Sequence, residues 1–343
     1  MKIAFKNDYS EGAHPSILER LVQTNPIQQA GYGFDEYTLA AKARIAALLD
    51  NPESQIYFVC GGTQTNLLVI SHLLRPYESV IACDSGHIVD TEAGAIEATG
   101  HKIHLVPSIN GKIQCEDIRK VVAHFGEPPH QVKPRLVYIS NATELGSIYT
   151  LSELKAIYNT CHELGLLLFV DGARLAHALN AVGNDIHWVD LARYTDAFYI
   201  GGTKNGALLG EAIVLNKKEL QIGFDYYIKQ KGALLAKGRL LGIQFLELFE
   251  NDLLNQLARH ANEQADRIRQ KLVEKGVKFL SDSPTNQLFP ILTNAQVSHL
   301  DERFEFYHWA VIDPDHTAIR LICSWATTTE EVDQLLNTID ECF

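Results

Sequence analysis

The regular alternation of strand-like and helix-like segments between residues 55 and 170 is the feature that most constrains the fold. Short apolar runs typical of buried strands recur at 56–59, 80–83, 102–106, 136–140 and 166–170. Helical segments are predicted between them, at 63–74, 88–98, 116–124 and 151–164. This βα repetition implies an α/β fold with a mainly parallel mixed sheet that is covered by helices on both faces. Ligands of such sheets bind beyond the carboxyl ends of the strands.

The 343 residues suffice for one large domain and one smaller domain. The alternation weakens after about residue 215, and a helical tract interrupted near Asn251 follows at 240–275. Further strands near 277–280, 287–291 and 318–324 and a last amphipathic helix at 329–342 complete the prediction. We therefore predict an N-terminal arm and large domain over 1–245 and a small C-terminal α+β domain over 246–343.

The first 35 residues are rich in polar residues, glycine and proline, and they are predicted to be irregular. A helix is predicted to follow at 36–49, where it stops before Asn51-Pro52. Within the irregular part, two glycines flank Tyr32 and predict a turn that presents its hydroxyl group.

Composition and charge exclude several classes of protein. The formal net charge of -12 argues against a nucleic-acid partner, because phosphate neutralisation needs clustered Lys and Arg. The N-terminus has no signal-peptide core and no apolar run approaches the roughly 20 residues of a membrane span, so we expect a cytoplasmic protein with no membrane partner. The six cysteines form no Cys-x-x-Cys pair, and His101 and His104 would face opposite sides of a strand. No metal site is therefore predicted.

A further short apolar run at 197–200 also predicts a buried strand. Polar or glycine-rich residues follow this strand and those at 56–59, 80–83, 136–140 and 166–170. Gly62 and Thr63 lie at a predicted helix start, where backbone N–H groups and the helix dipole favour a phosphate. Asp171 ends the most apolar strand, so its carboxylate needs a cation or a hydrogen-bond donor. His87 follows a small-residue turn and is suited to stack on a flat ring or act as a base. Lys204 offers an amine among glycines, where desolvation would lower its pKa.

Each of these features also has a purely structural explanation. On that explanation, Gly62 and Thr63 belong to an ordinary Thr or Gly helix cap, and Asp171 pairs internally with Arg174. His87 would be a structural histidine, and Lys204 would be incidental to a turn between two strands. Taken as a set, however, a phosphate-binding loop, a buried carboxylate, a ring-stacking histidine, an arginine and a Schiff-base lysine describe a pyridoxal phosphate site.

Four motifs, in this order and spacing, resemble those of a known family: Gly62-Thr-Gln-Thr-Asn-Leu67, Gly86-His87 with Glu92-Ala-Gly94, Val170-Asp-Gly-Ala-Arg174 and Thr203-Lys204. Over nearly its whole length the chain resembles the threonine aldolase and β-eliminating lyase family, within the aspartate-aminotransferase-like fold of pyridoxal phosphate enzymes. The resemblance implies the fold type I architecture, pyridoxal 5'-phosphate as cofactor, and a homodimer or homotetramer with active sites at the dimer interface.

The resemblance also implies roles for individual residues. It implies that Lys204 forms an aldimine with the cofactor, that Asp171 pairs with the pyridine nitrogen and that His87 stacks on the ring. The catalytic residues would then be Lys204, His87 and Asp171. The implied cofactor-binding residues are Gly62, Thr63, His87, Asn141, Asp171, Ala173, Arg174, Thr203 and Lys204. The implied substrate-binding residues are Asn7, Tyr32, Arg174 and Arg320, with Tyr32 and a lysine from 229–237 donated across the dimer interface.

The reaction implied is the retro-aldol cleavage of a β-hydroxy-α-amino acid, with threonine or allo-threonine giving glycine and acetaldehyde. A β-eliminating lyase, an aminotransferase and a cofactor-binding protein without catalysis are the alternatives. The family often has a histidine shortly after the asparagine that matches Asn141, and this chain has none. The base for the β-hydroxyl group is therefore His87, a water molecule or Glu144. The stereochemical preference, the physiological substrate and the choice between dimer and tetramer stay open.

Overall fold

The protein is described by a computed structural model that covers residues 2–125 and 128–342. Its strands are β1 Ile3–Ala4, β2 Gln55–Val59, β3 Glu78–Cys83, β4 Ile103–Val106, β5 Lys133–Ser140, β6 Leu167–Asp171, β7 Ala197–Gly201, β8 Glu211–Leu215, β9 Lys278–Phe279, β10 Gln287–Leu288, β11 Pro290–Thr293, β12 Phe304–Glu305, β13 Tyr307–Val311 and β14 His316–Ile322. Its α-helices are α1 Pro15–Thr24, α2 Glu36–Leu49, α3 Gly62–Leu73, α4 His87–Asp90, α5 Cys115–His124, α6 Leu151–Glu163, α7 Leu175–Leu179, α8 Trp188–Tyr194, α9 Lys218–Gln221, α10 Phe224–Gln230, α11 Arg239–Phe249, α12 Leu253–Glu274, α13 Asn294–Asp301 and α14 Thr329–Cys342.

Seven strands form the central sheet, in the order β2-β8-β7-β6-β5-β3-β4. The pairs from β7 to β4 are parallel, and β8 runs antiparallel to both of its neighbours. The predicted α/β class with a mainly parallel mixed sheet is therefore confirmed. Because β3, β5, β6 and β7 all end at the same edge, the loops that follow them meet there.

The apolar strand sequences bury both faces of this sheet. Along β6 and β7, Leu168 and Phe198 belong to one core cluster, whereas Phe169 and Tyr199 belong to the other. All residues of both strands are buried, as expected for central strands with helices on either side. The rigid sheet thus holds the residues at its edge in fixed positions.

Two predictions of secondary structure for the first 100 residues are wrong. The first 35 residues are not wholly irregular, because they contain α1 and the short strand β1. Ile17 of α1 is fully buried in the core, a helical contact that the flanking glycine and proline residues obscured. The predicted helix over 88–98 is broken, since Ala93 and Gly94 have left-handed backbone angles (φ 52° and 71°) that no right-handed helix accommodates.

The C-terminal part builds its own core on a second, antiparallel sheet. Strand β14 pairs with β10, β11 and β13, and helices α12 and α14 pack against each other beside it. The predicted strand over 287–291 is divided at Phe289 between β10 and β11. Phe5 of the N-terminal arm enters the same core. The division of the chain at residue 245 stays a prediction.

Candidate active site

Asp171 lies at the carboxyl end of β6 and has three hydrogen-bond donors. Its Oδ1 accepts the backbone N–H of Ala173 at 3.0 Å, and its Oδ2 accepts the hydroxyl of Tyr138 at 2.6 Å and the amide of Asn66 at 3.1 Å. The carboxylate is 4 % exposed. Three donors fix the position of the carboxyl group, so Asp171 is held in one orientation at the edge of the sheet.

Arg174 pairs with Asp8, and this excludes the structural explanation in which it pairs with Asp171. Its Nε lies 2.6 Å from one Asp8 oxygen and its Nη2 lies 3.0 Å from the other. Asn286 donates a further hydrogen bond to Asp8 at 3.0 Å. Burial alone would raise the pKa of Asp8, but the charges of Arg174 and Lys204 hold it well below its usual range. The N-terminal arm is therefore tied to this edge by a buried ion pair.

Lys204 lies in the turn between β7 and β8 and is half-buried. Burial lowers the pKa of its amine, and the charge of Arg174 lowers it further, while Asp8, Asp171 and Glu211 act in the opposite direction. These effects show that the amine shares one electrostatic environment with the Asp8 pair and with Asp171. A lysine whose proton is lost more easily is suited to form a Schiff base.

The glycines before Lys204 serve the backbone. A Cβ at Gly201 would lie 2.3 Å from the carbonyl oxygen of Ala173, and a Cβ at Gly202 would lie 2.9 Å from that of Gly210. Side chains at these positions would therefore collide with neighbouring segments. The structure thus gives these two glycines a role in the close packing of the loops.

His87 begins α4, and its ring is fixed by Glu92. Its Nδ1 lies 2.8 Å from Oε1 of Glu92, which is buried and also accepts the amide of Asn66 at 2.8 Å. Because a carboxylate only accepts hydrogen bonds, Nδ1 is the donor, and in the neutral imidazole Nε2 is then the acceptor. Asn66 also contacts Asp171, so one network orients both predicted catalytic side chains.

Glu144 is hydrogen-bonded to the backbone of His87. It follows Asn141 in the segment where the family often has a histidine. Its Oε1 accepts the backbone N–H of His87 at 3.0 Å and the hydroxyl of Ser140 at 2.6 Å. Burial raises the pKa of Glu144. Asn141 is also buried, and its backbone N–H bonds to the carbonyl oxygen of Asp171 at 2.9 Å. Both residues therefore support the end of β5 beside Asp171.

The N-terminus of α3 is open to an anion. Its N-cap is Gly61, which makes no side-chain cap hydrogen bond, and the helix runs for 12 residues. Thr63 is the second helical residue and is exposed, so it is not the cap that its sequence context allowed. A Cβ at Gly62 would lie 3.1 Å from the hydroxyl of Tyr199. Free N–H groups at a helix start bind phosphate.

Arg320 lies on β14, with its guanidinium 4.7 Å from the ring centre of Tyr307 and 4.9 Å from that of Trp309. Its Nε is buried without a hydrogen-bond partner among the described residues. Burial lowers the pKa of Arg320, and so does the nearby charge of Arg174, while Asp8 raises it. Two arginines therefore lie close enough to interact at this edge.

Asn7 and Tyr32 stand apart from this set. The Asn7 side chain accepts the backbone N–H of Tyr9 and the hydroxyl of Ser10, each at 3.0 Å, and so closes a local turn. Tyr32 is 48 % exposed in a turn with φ 57°, and the amine of Lys229 lies 4.9 Å from its ring centre. Within the part of the chain that the structure describes, neither residue makes a hydrogen bond or an ion pair with Asp171 or Lys204.

Several residues of the site escaped sequence reasoning because their partners are far away in the chain. Asn66 and Glu92 belong to recognised motifs, but nothing in the sequence linked them to Asp171 and His87. The residues that the structure adds are Asp8, Asn66, Glu92, Tyr138 and Glu211.

The donor set fits pyridoxal phosphate. The α3 N-terminus would receive the phosphate, Asp171 the protonated ring nitrogen and the Lys204 amine the aldehyde, while His87 would face the ring. Within the part of the chain that the structure describes, no group of three or more His, Cys, Asp or Glu side chains is arranged to hold a metal ion.

Comparison with solved structures defines the fold class of the protein. The chain matches an aspartate aminotransferase of Thermus thermophilus with a TM-score of 0.71 at 14 % identity, covering 100 % of this chain and 92 % of that one. The fold is thus that of the fold type I pyridoxal phosphate enzymes. The sequence pattern of the family described as beta-eliminating lyase matches residues 10–319, and the chain belongs to this family.

Individual relatives narrow the comparison. The chain is 32 % identical over 339 residues to the low specificity L-threonine aldolase of Pseudomonas aeruginosa, covering 98 % of this chain and 96 % of the relative. It is 27 % identical to the low specificity L-threonine aldolase of Saccharomyces cerevisiae, covering 79 % of this chain and 69 % of that relative. The solved structure of Leishmania major threonine aldolase matches with a TM-score of 0.97 at 43 % identity, covering 99 % of both chains.

Proposed function

We propose that this protein is a pyridoxal phosphate-dependent aldolase that cleaves β-hydroxy-α-amino acids, with threonine or allo-threonine giving glycine and acetaldehyde. The observation that carries the proposal is the full-length similarity to the Leishmania threonine aldolase at 43 % identity. The site supports it, because one edge of the sheet presents a lysine amine, a buried carboxylate, an oriented histidine and two arginines. The enzyme is a carbon-carbon lyase.

Pyridoxal phosphate supplies an electron sink that makes cleavage of the substrate's Cα–Cβ bond possible. Lys204 would hold the cofactor covalently, and Asp171 would keep its ring nitrogen protonated. Because three donors fix the Asp171 carboxylate, little reorganisation is needed when it receives that partner. The residues of the sheet edge would thus hold the cofactor and keep its ring polarised.

Two arginines would bind the substrate. Arg174 and Arg320 would bind the α-carboxylate, since a guanidinium matches a carboxylate with two parallel hydrogen bonds. The unpartnered Nε of Arg320 has donor capacity to spare. Asp8 holds Arg174 in a fixed orientation. A fixed carboxylate in turn fixes the direction of the bond that breaks.

His87 is our candidate for the base that takes the β-hydroxyl proton. Glu92 holds its Nδ1–H, so the lone pair of Nε2 is the one that can accept a proton, and Glu92 then stabilises the resulting imidazolium. Glu144 supports the His87 backbone, and burial raises the pKa of its carboxyl group. With His87 as the base, the additional histidine that the family often has would not be needed.

The experiment that tests the function supplies threonine, allo-threonine and phenylserine alongside tyrosine and tryptophan, and identifies the products. We expect an aldehyde and glycine from the first three. The match to the beta-eliminating lyase family makes elimination the second candidate. Ammonia and a keto acid without aldehyde would establish elimination and overturn the aldolase.

We propose further that the enzyme is a homodimer or homotetramer, acts in the cytoplasm, and completes each site with Tyr32 from a neighbouring subunit. Tyr32 and Phe34 are exposed, and they line an open cavity of about 670 Å³ together with Lys42 and Leu241. Among the described residues, no helix is long and apolar enough to cross a membrane.

Light scattering measures the mass of the assembly in solution and so tests the proposed dimer or tetramer. Mixing inactive Tyr32→Ala and Lys204→Ala subunits should restore part of the activity if sites are shared.

A further inference from the structure

Glu211 is a buried carboxyl group beside Lys204 that the mechanism above does not use. It is the first residue of β8 and lies directly opposite Gly201, the last residue of β7. Only 4 % of the surface of Glu211 is exposed. Its Oε1 accepts the hydroxyl of Thr203 at 2.9 Å, whereas its Oε2 is buried with no hydrogen-bond partner among the described residues. A buried acid left half-satisfied calls for an explanation.

Thr203 connects this acid to the turn that carries the lysine. The Thr203 hydroxyl accepts the backbone N–H of Gly210 at 3.0 Å while donating to Glu211. The backbone N–H groups of Gly202 and Thr203 both bond to the carbonyl oxygen of Gly210, at 2.9 and 3.2 Å. The turn from 202 to 210 is therefore closed around a hydroxyl that Glu211 orients, and Lys204 is the next residue.

The charges around the two groups make them depend on each other. Burial raises the pKa of Glu211 to about 8, the Thr203 hydrogen bond and the Lys204 charge oppose this, and Asp171 adds to it. The Tyr199 hydroxyl also lies near Glu211, and its pKa is raised well above the usual value, so it stays neutral. The groups that face Lys204 are Arg174, Asp8, Asp171, Glu211 and the neutral His177, whose pKa burial lowers to about 4.

We propose that Glu211 is a positioning residue of the active site, which holds the Thr203 hydroxyl in the turn and sets how readily the Lys204 amine loses its proton. When Glu211 is ionised, its charge favours the ammonium form of Lys204. When Glu211 is protonated, this support is absent and the free amine is favoured. The role rests on Lys204 as the cofactor lysine, but it holds whichever amino acid is the substrate.

The test measures the protonation of Lys204 directly in the cofactor-free, full-length protein. The rate of Lys204 acetylation by acetic anhydride is followed against pH by mass spectrometry, with the exposed Lys218 as internal reference. In the cofactor-loaded protein, the visible absorbance of the bound cofactor is titrated in parallel. The variants are Glu211→Gln, Thr203→Val and the control Asp196→Asn, which removes a buried carboxylate bound to Lys217 at the other end of β7.

We expect Glu211→Gln to lower the midpoint of Lys204 acetylation by about one pH unit, because an opposite charge is lost. Thr203→Val should lower it by less, since Glu211 keeps its proton to higher pH without that donor. Asp196→Asn should leave the Lys204 midpoint unchanged. The acetylation midpoint of Lys218 should be the same in every variant. Unchanged midpoints in both active-site variants would overturn the proposal, and Thr203→Val decides alone if Glu211→Gln does not fold. Because no substrate is used, the result is independent of the aldolase assignment.

Discussion

Replacing Asp8 by Asn tests whether the N-terminal arm is held to the active site by a buried ion pair. The Asp8 carboxylate is fully buried, and the Arg174 side chain is only 12 % exposed. Asparagine keeps the shape and one acceptor oxygen but removes the charge. The guanidinium then remains buried beside a neutral amide, without the negative charge that balanced it.

The expected loss of unfolding free energy is large for a single conservative change. Breaking a buried ion pair by removing one partner costs about 3 to 5 kcal/mol, and the acceptor that Asn retains favours the lower value, about 3 kcal/mol. The matched control is Asp252→Asn, whose carboxylate lies 2.6 Å from Arg259 with both side chains about half exposed. Exposed pairs contribute at most about 1 kcal/mol.

Urea unfolding at pH 7 measures both variants against the unchanged protein. The Asp8 carboxyl has a lowered pKa in the folded state, so its contribution is complete above its ordinary pKa of about 4 and is lost as the pH falls below that value. The difference between Asp8→Asn and the unchanged protein should therefore shrink between pH 5 and pH 3. Equal losses below about 1 kcal/mol for Asp8→Asn and Asp252→Asn would refute the argument.

Three further outcomes follow from the geometry. Gly172→Ala should prevent folding to a native near-ultraviolet spectrum, because its Cβ would lie 1.7 Å from the carbonyl oxygen of Tyr199; a soluble, native variant would contradict this. Arg320→Lys should raise KM about tenfold with little change in kcat, since one charge-assisted hydrogen bond is lost; an unchanged KM would remove Arg320 from the substrate site. Lys204→Ala should abolish both turnover and borohydride-stable attachment of the cofactor, whereas Lys218→Ala should change neither.

Much of the secondary structure was predictable because it depends on local patterns. The helix predicted at 36–49 corresponds to α2, and the last helix at 329–342 corresponds to α14. The interruption near Asn251 separates α11 from α12, where Asn251 and Asp252 have positive φ angles. The prediction of a helix over 88–98 failed because two backbone angles decide there, at Ala93 and Gly94, and such angles leave little trace in the apolar spacing.

The sequence by itself determined the class of chemistry. Apolar runs followed by polar strand ends are local signals, and parallel strands must bring those ends to one edge. That is why Lys204, Asp171 and His87 were candidates from their positions in the chain. The family match over 10–319 agrees with the resemblance that the same motifs carried.

Only the tertiary structure decided which partners these residues have. Arg174 pairs with Asp8, 166 residues away, and Asp171 takes its donors from Asn66 and Tyr138 on other elements. Such contacts depend on distances between segments that no local pattern encodes. The same holds for Glu211, which is an ordinary polar residue in the sequence but a buried acid next to the lysine turn in the fold, because β8 runs antiparallel to β7.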